Sequence, residues 1–127
     1  MTARGSSRRA LTAAAWLALA AQLAMLYAPS LPDAVPPPVP FADKLVHCVA
    51  FALATAVWSR LTGRTALVAA LFSAHGVVSE FIQAALPARS ADPWDALADL
   101  AGVALGIWVA ATLRPPPEAG RSGPGGA

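Results

Sequence analysis

Residues 10–28 (ALTAAAWLALAAQLAMLYA) form an apolar run of 19 residues without a single charged side chain. As an α-helix, a run of this length is long enough to cross about 30 Å of hydrocarbon. The composition points the same way: 57% of the residues are hydrophobic and 13% are charged, whereas soluble domains carry about 25% charged residues. One soluble domain of 127 residues would need a larger charged surface. The sequence therefore predicts a small integral membrane protein.

Other classes are excluded by composition. Most of the chain is too hydrophobic to be disordered. Cys48 is the only cysteine, which excludes a disulfide scaffold. A nucleic-acid partner is not expected, because the net charge is only +2 and the arginines flank apolar runs rather than forming a basic patch.

Three further apolar segments follow the first. The predicted fold is all-α, an integral membrane four-helix bundle with helices at about residues 10–28, 41–60, 65–86 and 93–113. Asp92 followed by Pro93 marks the start of the last helix, since aspartate caps a helix N-terminus and proline needs no N–H there. Residues 29–40 are proline-rich and should form a loop.

We expect one domain, residues 10–113, between a cytoplasmic segment (1–9) and a disordered cytoplasmic tail (114–127). An alternative for residues 10–28 is a cleaved signal peptide, although the run exceeds the usual 7–15 apolar residues.

With four crossings, seven arginines fall on one side of the membrane, which should be the cytoplasm. These are Arg4, Arg8, Arg9, Arg60, Arg64, Arg114 and Arg121.

Polar and small residues recur at helical spacing in the second, third and fourth segments. The stripes are Asp43, His47, Ala50 and Ala54; Ser73, Gly76, Glu80 and Gln83; and Asp95, Asp99, Gly102 and Gly106. Each stripe is polar toward the outer end and small toward the inner end. We therefore expect these three helices to pack closely at the inner ends of the stripes and to open a polar cleft at the outer ends. The first helix should lie at the periphery. Ionisable groups at this depth are costly and by default indicate a functional site.

Four short motifs in this region resemble the VanZ-like membrane protein family. Residues 43–47 (DKLVH) look like its DKxxH opening, and residues 80–83 (EFIQ) resemble its ExxQ motif. Residues 87–90 (PARS) resemble its P-x-R-S turn, and residues 95–106 resemble its DxxxNxxGxxxG helix, with Asp99 where Asn is frequent. The resemblance implies a four-helix inner-membrane protein of the bacterial cell envelope. The name-giving member is associated with antibiotic resistance, specifically to the glycopeptide teicoplanin.

The candidate site comprises the polar residues of these motifs and stripes. The predicted ligand-binding residues are Asp43, His47, Glu80, Gln83, Arg89, Asp95 and Asp99. Glu80 and His47 are the candidate acid–base residues. Structural roles are the alternatives: a protonated buried carboxyl for Glu80, helix capping for Asp95, and a bridge between helices for Gln83. His75, outside the motifs, should hydrogen-bond to a neighbouring helix.

No cofactor and no metal are predicted. Glu80, Asp95, Asp99 and His47 could supply oxygen and nitrogen ligands to Mg²⁺, Mn²⁺ or Zn²⁺, but no HExxH or CxxC spacing supports a metal.

Three functions fit these observations. The first is binding of a cell-wall precursor, lipid head group or glycopeptide in the outward-facing cleft, and this is the preferred hypothesis. The second is a membrane enzyme in which Glu80 or His47 is the general base and Arg89 stabilises an anion. The third is a structural role, in which the polar stripe fixes helix register and the bundle pairs with a copy of itself or another membrane protein.

Overall fold

A computed structural model of the chain describes residues 3–28, 41–86 and 91–114. These residues form four α-helices: α1 (Ala3–Tyr27), α2 (Ala42–Thr62), α3 (Thr65–Ala84) and α4 (Pro93–Thr112). Each helix is long and apolar enough to cross a membrane. The all-α, four-helix prediction is therefore confirmed, while the expected proline-rich loop and most of the expected tail lie outside the described residues.

The helix ends follow local sequence signals. Gly63 ends α2 with a positive φ of 69°, and its N–H donates to the Ser59 carbonyl at 2.9 Å. Asp92 caps α4 by accepting from the Trp94 N–H at 3.0 Å, with Pro93 as the first helical residue. Helix α1 begins at Ala3, ahead of the segment predicted from residue 10, because the intervening polar residues are unsuited to hydrocarbon yet tolerated in a helix.

Helix α2 is the centre of the bundle, and its most extensive contact is with α4. Two glycines of α4 permit this contact. A Cβ atom on Gly102 would overlap the Cys48 carbonyl oxygen, and one on Gly106 would lie 2.6 Å from the Ala52 carbonyl oxygen. The predicted close approach of the second and fourth helices is thus confirmed. Among the described helices, α1 lies at the periphery, mainly against α2.

Large apolar side chains cover the outside of the bundle. Phe81, Leu17 and Leu53 are 73%, 72% and 57% exposed. The buried core is small, with Phe51 meeting Phe72 edge-on at a ring distance of 6.4 Å. An apolar exterior around a modest core fits a lipid environment.

Charges separate to the two ends of the bundle. The start of α2, the end of α3 and the start of α4 carry every acidic residue of the described segments: Asp43, Glu80, Asp92, Asp95 and Asp99. We call this the acidic end. At the opposite, arginine-rich end, two hydrogen bonds connect the helix ends. Arg60 Nη1 of α2 donates to the Leu113 carbonyl after α4 (3.2 Å), and Arg114 Nη2 donates to Thr65 Oγ1 of α3 (2.7 Å).

Candidate functional site

Lys44 holds three carboxylates together at the acidic end. Its Nζ atom lies 2.9 Å from Asp43 Oδ2, 2.5 Å from Asp92 Oδ2 and 2.6 Å from Asp95 Oδ1. The first turn of α2 is thereby tied to the start of α4. One ammonium group has three N–H donors, so each carboxylate can receive one.

His47 and Asp99 form a second pair, one turn deeper. The Nδ1 atom of His47 lies 2.9 Å from Asp99 Oδ1, and the other ring nitrogen lies 4.0 Å from Asp95 Oδ2. The Asp99 side chain is fully buried, and that of His47 is 8% exposed. Asp95 therefore lies between the lysine cluster and the buried histidine.

Glu80 joins the cluster from α3. Its Oε2 atom accepts a hydrogen bond from the Asp92 N–H at 2.7 Å, which links the end of α3 to the start of α4. Its Oε1 atom is buried and has no hydrogen-bond partner within the described part of the chain, and the same is true of Asp99 Oδ2. Buried carboxylate oxygens normally accept hydrogen bonds, so these two atoms are able to receive donors from a ligand or water.

Side-chain exposure falls steadily across the cluster. It is 54% for Asp43, 35% for Asp92, 20% for Lys44, 14% for Asp95 and zero for Asp99. Polar groups thus extend from the surface into the interior of the bundle. At the outer rim, the Lys44 ammonium and the Trp94 N–H stabilise the charged form of Asp92 and hold the pKa of its carboxyl below the usual value.

Four of the predicted site residues meet in this cluster: His47, Glu80, Asp95 and Asp99. Asp43 is attached only at its rim, through Lys44. Gln83 instead donates from its Nε2 atom to the Leu26 carbonyl of α1 at 3.1 Å, so its predicted role as a bridge between helices is confirmed. Arg89 lies outside the described residues.

The predicted stripe on α2 is partly wrong. The stripe of Asp43, His47, Ala50 and Ala54 places Asp43 inward, whereas Lys44 is the more buried member of that pair. His47 and Ala54 of the predicted stripe are buried. The face against α4 follows Lys44, His47, Phe51 and Thr55, because Gly102 and Gly106 of α4 pack against the backbone beside Phe51 and Thr55. In contrast, the predicted stripe on α4 is confirmed, with Asp99, Gly102 and Gly106 buried.

Sequence reasoning missed the roles of Lys44 and Asp92. Lys44 was treated as part of a motif and Asp92 only as a helix cap. A signal was present in the spacing, since Lys44 precedes His47 by three residues and so shares its helix face. The contact between Glu80 and the Asp92 backbone has no such signal, because it depends on how the end of α3 and the start of α4 are placed relative to each other.

His75, on α3, contacts α1 rather than the acidic cluster. Its Nε2 atom is 3.0 Å from the Tyr27 hydroxyl, and its Nδ1 atom is 3.5 Å from Gln22 Nε2. Both partners belong to α1, so the predicted hydrogen bond between His75 and a neighbouring helix is confirmed. These contacts also explain why the peripheral helix carries a buried glutamine.

The donors at the acidic end are mainly carboxylates and one imidazole. Among residues 3–28, 41–86 and 91–114, no three His, Cys, Asp or Glu side chains are arranged to share a metal ion. Protein-family models, curated proteins and solved structures were compared with the chain, and none of them matches it. The VanZ-like resemblance in residues 43–106 therefore stays a prediction.

Proposed function

We propose that this chain is a VanZ-like, multi-pass protein of the bacterial inner membrane that binds an envelope ligand at its acidic end. The ligand would be a cell-wall precursor, a lipid head group or a glycopeptide. Both termini would be cytoplasmic, since arginines collect at the end of the bundle that contains the start of α1 and the end of α4. The acidic end would then face the outer surface.

The observation that carries this proposal is a pair of buried oxygens, Glu80 Oε1 and Asp99 Oδ2, that have no hydrogen-bond partner within the described segments. The charged groups at the rim of the same cluster are partly open to solvent. A ligand that brings N–H or O–H donors would satisfy these oxygens, as the amines and amides of peptide-like envelope molecules do. Glycopeptide susceptibility is a proposed consequence of such binding.

Native mass spectrometry of the protein, purified gently from its own membranes, tests this proposal. Wild type should retain a specific molecule that Glu80→Gln loses. Asp43→Asn is the matched control, because it also removes one carboxylate from the acidic end but leaves the buried oxygens unchanged. If all three proteins retain the same bulk lipids, the binding proposal fails and a structural role as a partner of another membrane protein takes its place.

A second candidate function is a membrane enzyme acting on a lipid-linked substrate. The specific observation in its favour is the hydrogen bond between His47 Nδ1 and Asp99, since a carboxylate in that position orients an imidazole for proton transfer at its other nitrogen. Glu80 would be the alternative general base. Once the retained ligand is known, loss of turnover with normal ligand binding in His47→Gln would support catalysis. Turnover that survives in His47→Gln, in Glu80→Gln and in the double variant would contradict it.

A further inference from the structure

The arginine-rich end contains a groove that the proposed function does not use. It is a shallow, widely open groove between the start of α1 and the end of α2, with a volume of about 630 Å³. Its lining residues are Ser7, Arg8, Ala10, Leu11, Ala14, Arg60 and Leu61. We propose that this groove binds the head group and upper acyl chains of an anionic phospholipid.

The lining combines charged groups with apolar surface. Arg8 and Arg60 contribute two guanidinium groups, whereas Leu11, Ala14 and Leu61 contribute apolar surface. A phosphodiester accepts paired hydrogen bonds from guanidinium groups, and acyl chains pack against aliphatic side chains. A soluble anion would contact only the two guanidinium groups and leave the apolar lining uncovered, so the groove fits a lipid better than free phosphate.

The groove also lies at the depth where lipid head groups would meet the protein. Arg8 and Arg60 are each within three residues of the end of a candidate membrane span. Trp58 lies two residues deeper than Arg60 on α2, and Trp16 lies about two turns deeper than Arg8 on α1. The two rings stack edge-on at 5.2 Å, and Trp58 Nε1 donates to the Ala15 carbonyl at 3.0 Å. Tryptophan is enriched at the membrane–water interface, which places the neighbouring arginines at head-group level.

Local charge favours an anion at this groove. Within the described segments, all acidic side chains belong to the opposite end of the bundle, so none of them neutralises Arg8 or Arg60. Among the described residues, Arg60 makes one hydrogen bond, from Nη1 to the Leu113 carbonyl, and a guanidinium carries five N–H donors. An anionic lipid would therefore supply the missing counter-charge.

The test measures lipid binding to the detergent-purified full chain by native mass spectrometry, with phosphatidylglycerol and phosphatidylcholine of matched acyl chains. Wild type should prefer phosphatidylglycerol. The double variant Arg8→Gln/Arg60→Gln should lose affinity for it by about 25-fold, at about fivefold for each basic residue near a lipid surface. Affinity for phosphatidylcholine should change little.

The matched control is Arg9→Gln/Arg64→Gln, which removes the same charge from the same end but outside the groove lining. It should retain most of the phosphatidylglycerol affinity. Equal losses in the two double variants would overturn the proposal, as would the absence of a preference in wild type. Displacement of the lipid by soluble glycerol phosphate at comparable concentration would overturn the assignment to a lipid.

Folding is separated from binding by the single variant Arg8→Gln. The hydrogen bond near this residue, from Thr12 Oγ1, uses the Arg8 backbone carbonyl and survives the substitution. Thermal unfolding should therefore match wild type while phosphatidylglycerol affinity falls about fivefold. Unchanged affinity in this variant would contradict a role for Arg8.

Discussion

The Nδ1 atom of His47 on α2 lies 2.9 Å from Oδ1 of Asp99 on α4, and Asp99 is fully buried. This contact joins the two helices that pack most extensively against each other. It also lies directly above Gly102, where the α2 and α4 backbones come close together. The polar site and the tight helix contact are therefore parts of one interface, and a change in either should affect the other.

Asp99→Ala should lower the free energy of unfolding by about 3 kcal/mol or more, because it leaves His47 buried without its partner. The double variant His47→Ala/Asp99→Ala should cost less than the sum of the two single variants, since each already removes the shared contact. Unfolding in mixed micelles, followed by circular dichroism, measures both. Asp43→Ala, at the exposed rim, should change stability by about 0.5 kcal/mol or less. Strict additivity would show that the pair is not coupled.

Gly102→Ala should destabilise the bundle by about 1–3 kcal/mol, since its new methyl group would meet the Cys48 backbone and overpacking has that cost. Gly106→Ala should behave similarly, because its methyl group would lie 2.7 Å from Thr55 Cβ. The matched control is Gly5→Ala in α1, where nothing lies within 4 Å of the added atom. Thermal unfolding in detergent compares the three. An unaffected Gly102→Ala protein would mean that α2 and α4 approach less closely.

The buried face of α4, which contains these glycines, could be predicted from the sequence. The spacing of Asp95, Asp99, Gly102 and Gly106 predicted the buried face of α4 because a helix repeats every 3.6 residues, whatever its neighbours. The buried face of α2 was harder to predict, since Asp43 and Lys44 are adjacent and both polar. Only the position of α4 decides which of them turns inward, and that position is a tertiary property.

Hydrogen bonds between residues of successive helices are even harder to predict from the sequence. Glu80 was predicted as a site residue from its depth in the third helix, and the structure buries it. Its hydrogen bond to the Asp92 N–H could not be predicted, because it depends on where the start of α4 packs against the end of α3. Sequence periodicity thus predicts which face of a helix carries the polar site residues. Which residues of two helices contact each other can be read only from the three-dimensional structure.

Asp92→Asn should lower thermal stability at neutral pH, and the difference from wild type should shrink in acid. In the folded protein the pKa of Asp92 is below its usual value because Lys44 and the Trp94 N–H stabilise the carboxylate. The stabilisation is therefore complete above the unfolded-state pKa of about 4 and is lost as the pH falls through the lower folded-state pKa. Asparagine still caps the helix, so the comparison isolates the charge.

The measurement is the melting temperature of both proteins in detergent between pH 7 and pH 2. A constant difference across this range would contradict the role assigned to the Asp92 charge. Lys44→Met should abolish most of the pH-dependent difference, because it removes the ammonium group that contacts Asp92 at 2.5 Å.

The separation of charges predicts the orientation of the bundle. If the arginine-rich end is cytoplasmic, a cysteine at the acidic end should react with a membrane-impermeant maleimide on intact cells. Trp94→Cys is suitable because Trp94 is 68% exposed at the start of α4, and Arg64→Cys probes the opposite end. Both are made in a Cys48→Ala background, since Cys48 is the only native cysteine.

Trp94→Cys should be labelled before lysis, and Arg64→Cys only after the membrane is opened. A green fluorescent protein fused after Leu113 should fluoresce, because that position follows the end of α4 on the arginine-rich side, whereas alkaline phosphatase at the same position should stay inactive. The reverse pattern would place the acidic end in the cytoplasm, where an external envelope ligand could not reach Glu80 or Asp99. Orientation is therefore a condition that the proposed ligand site must meet before any ligand is sought.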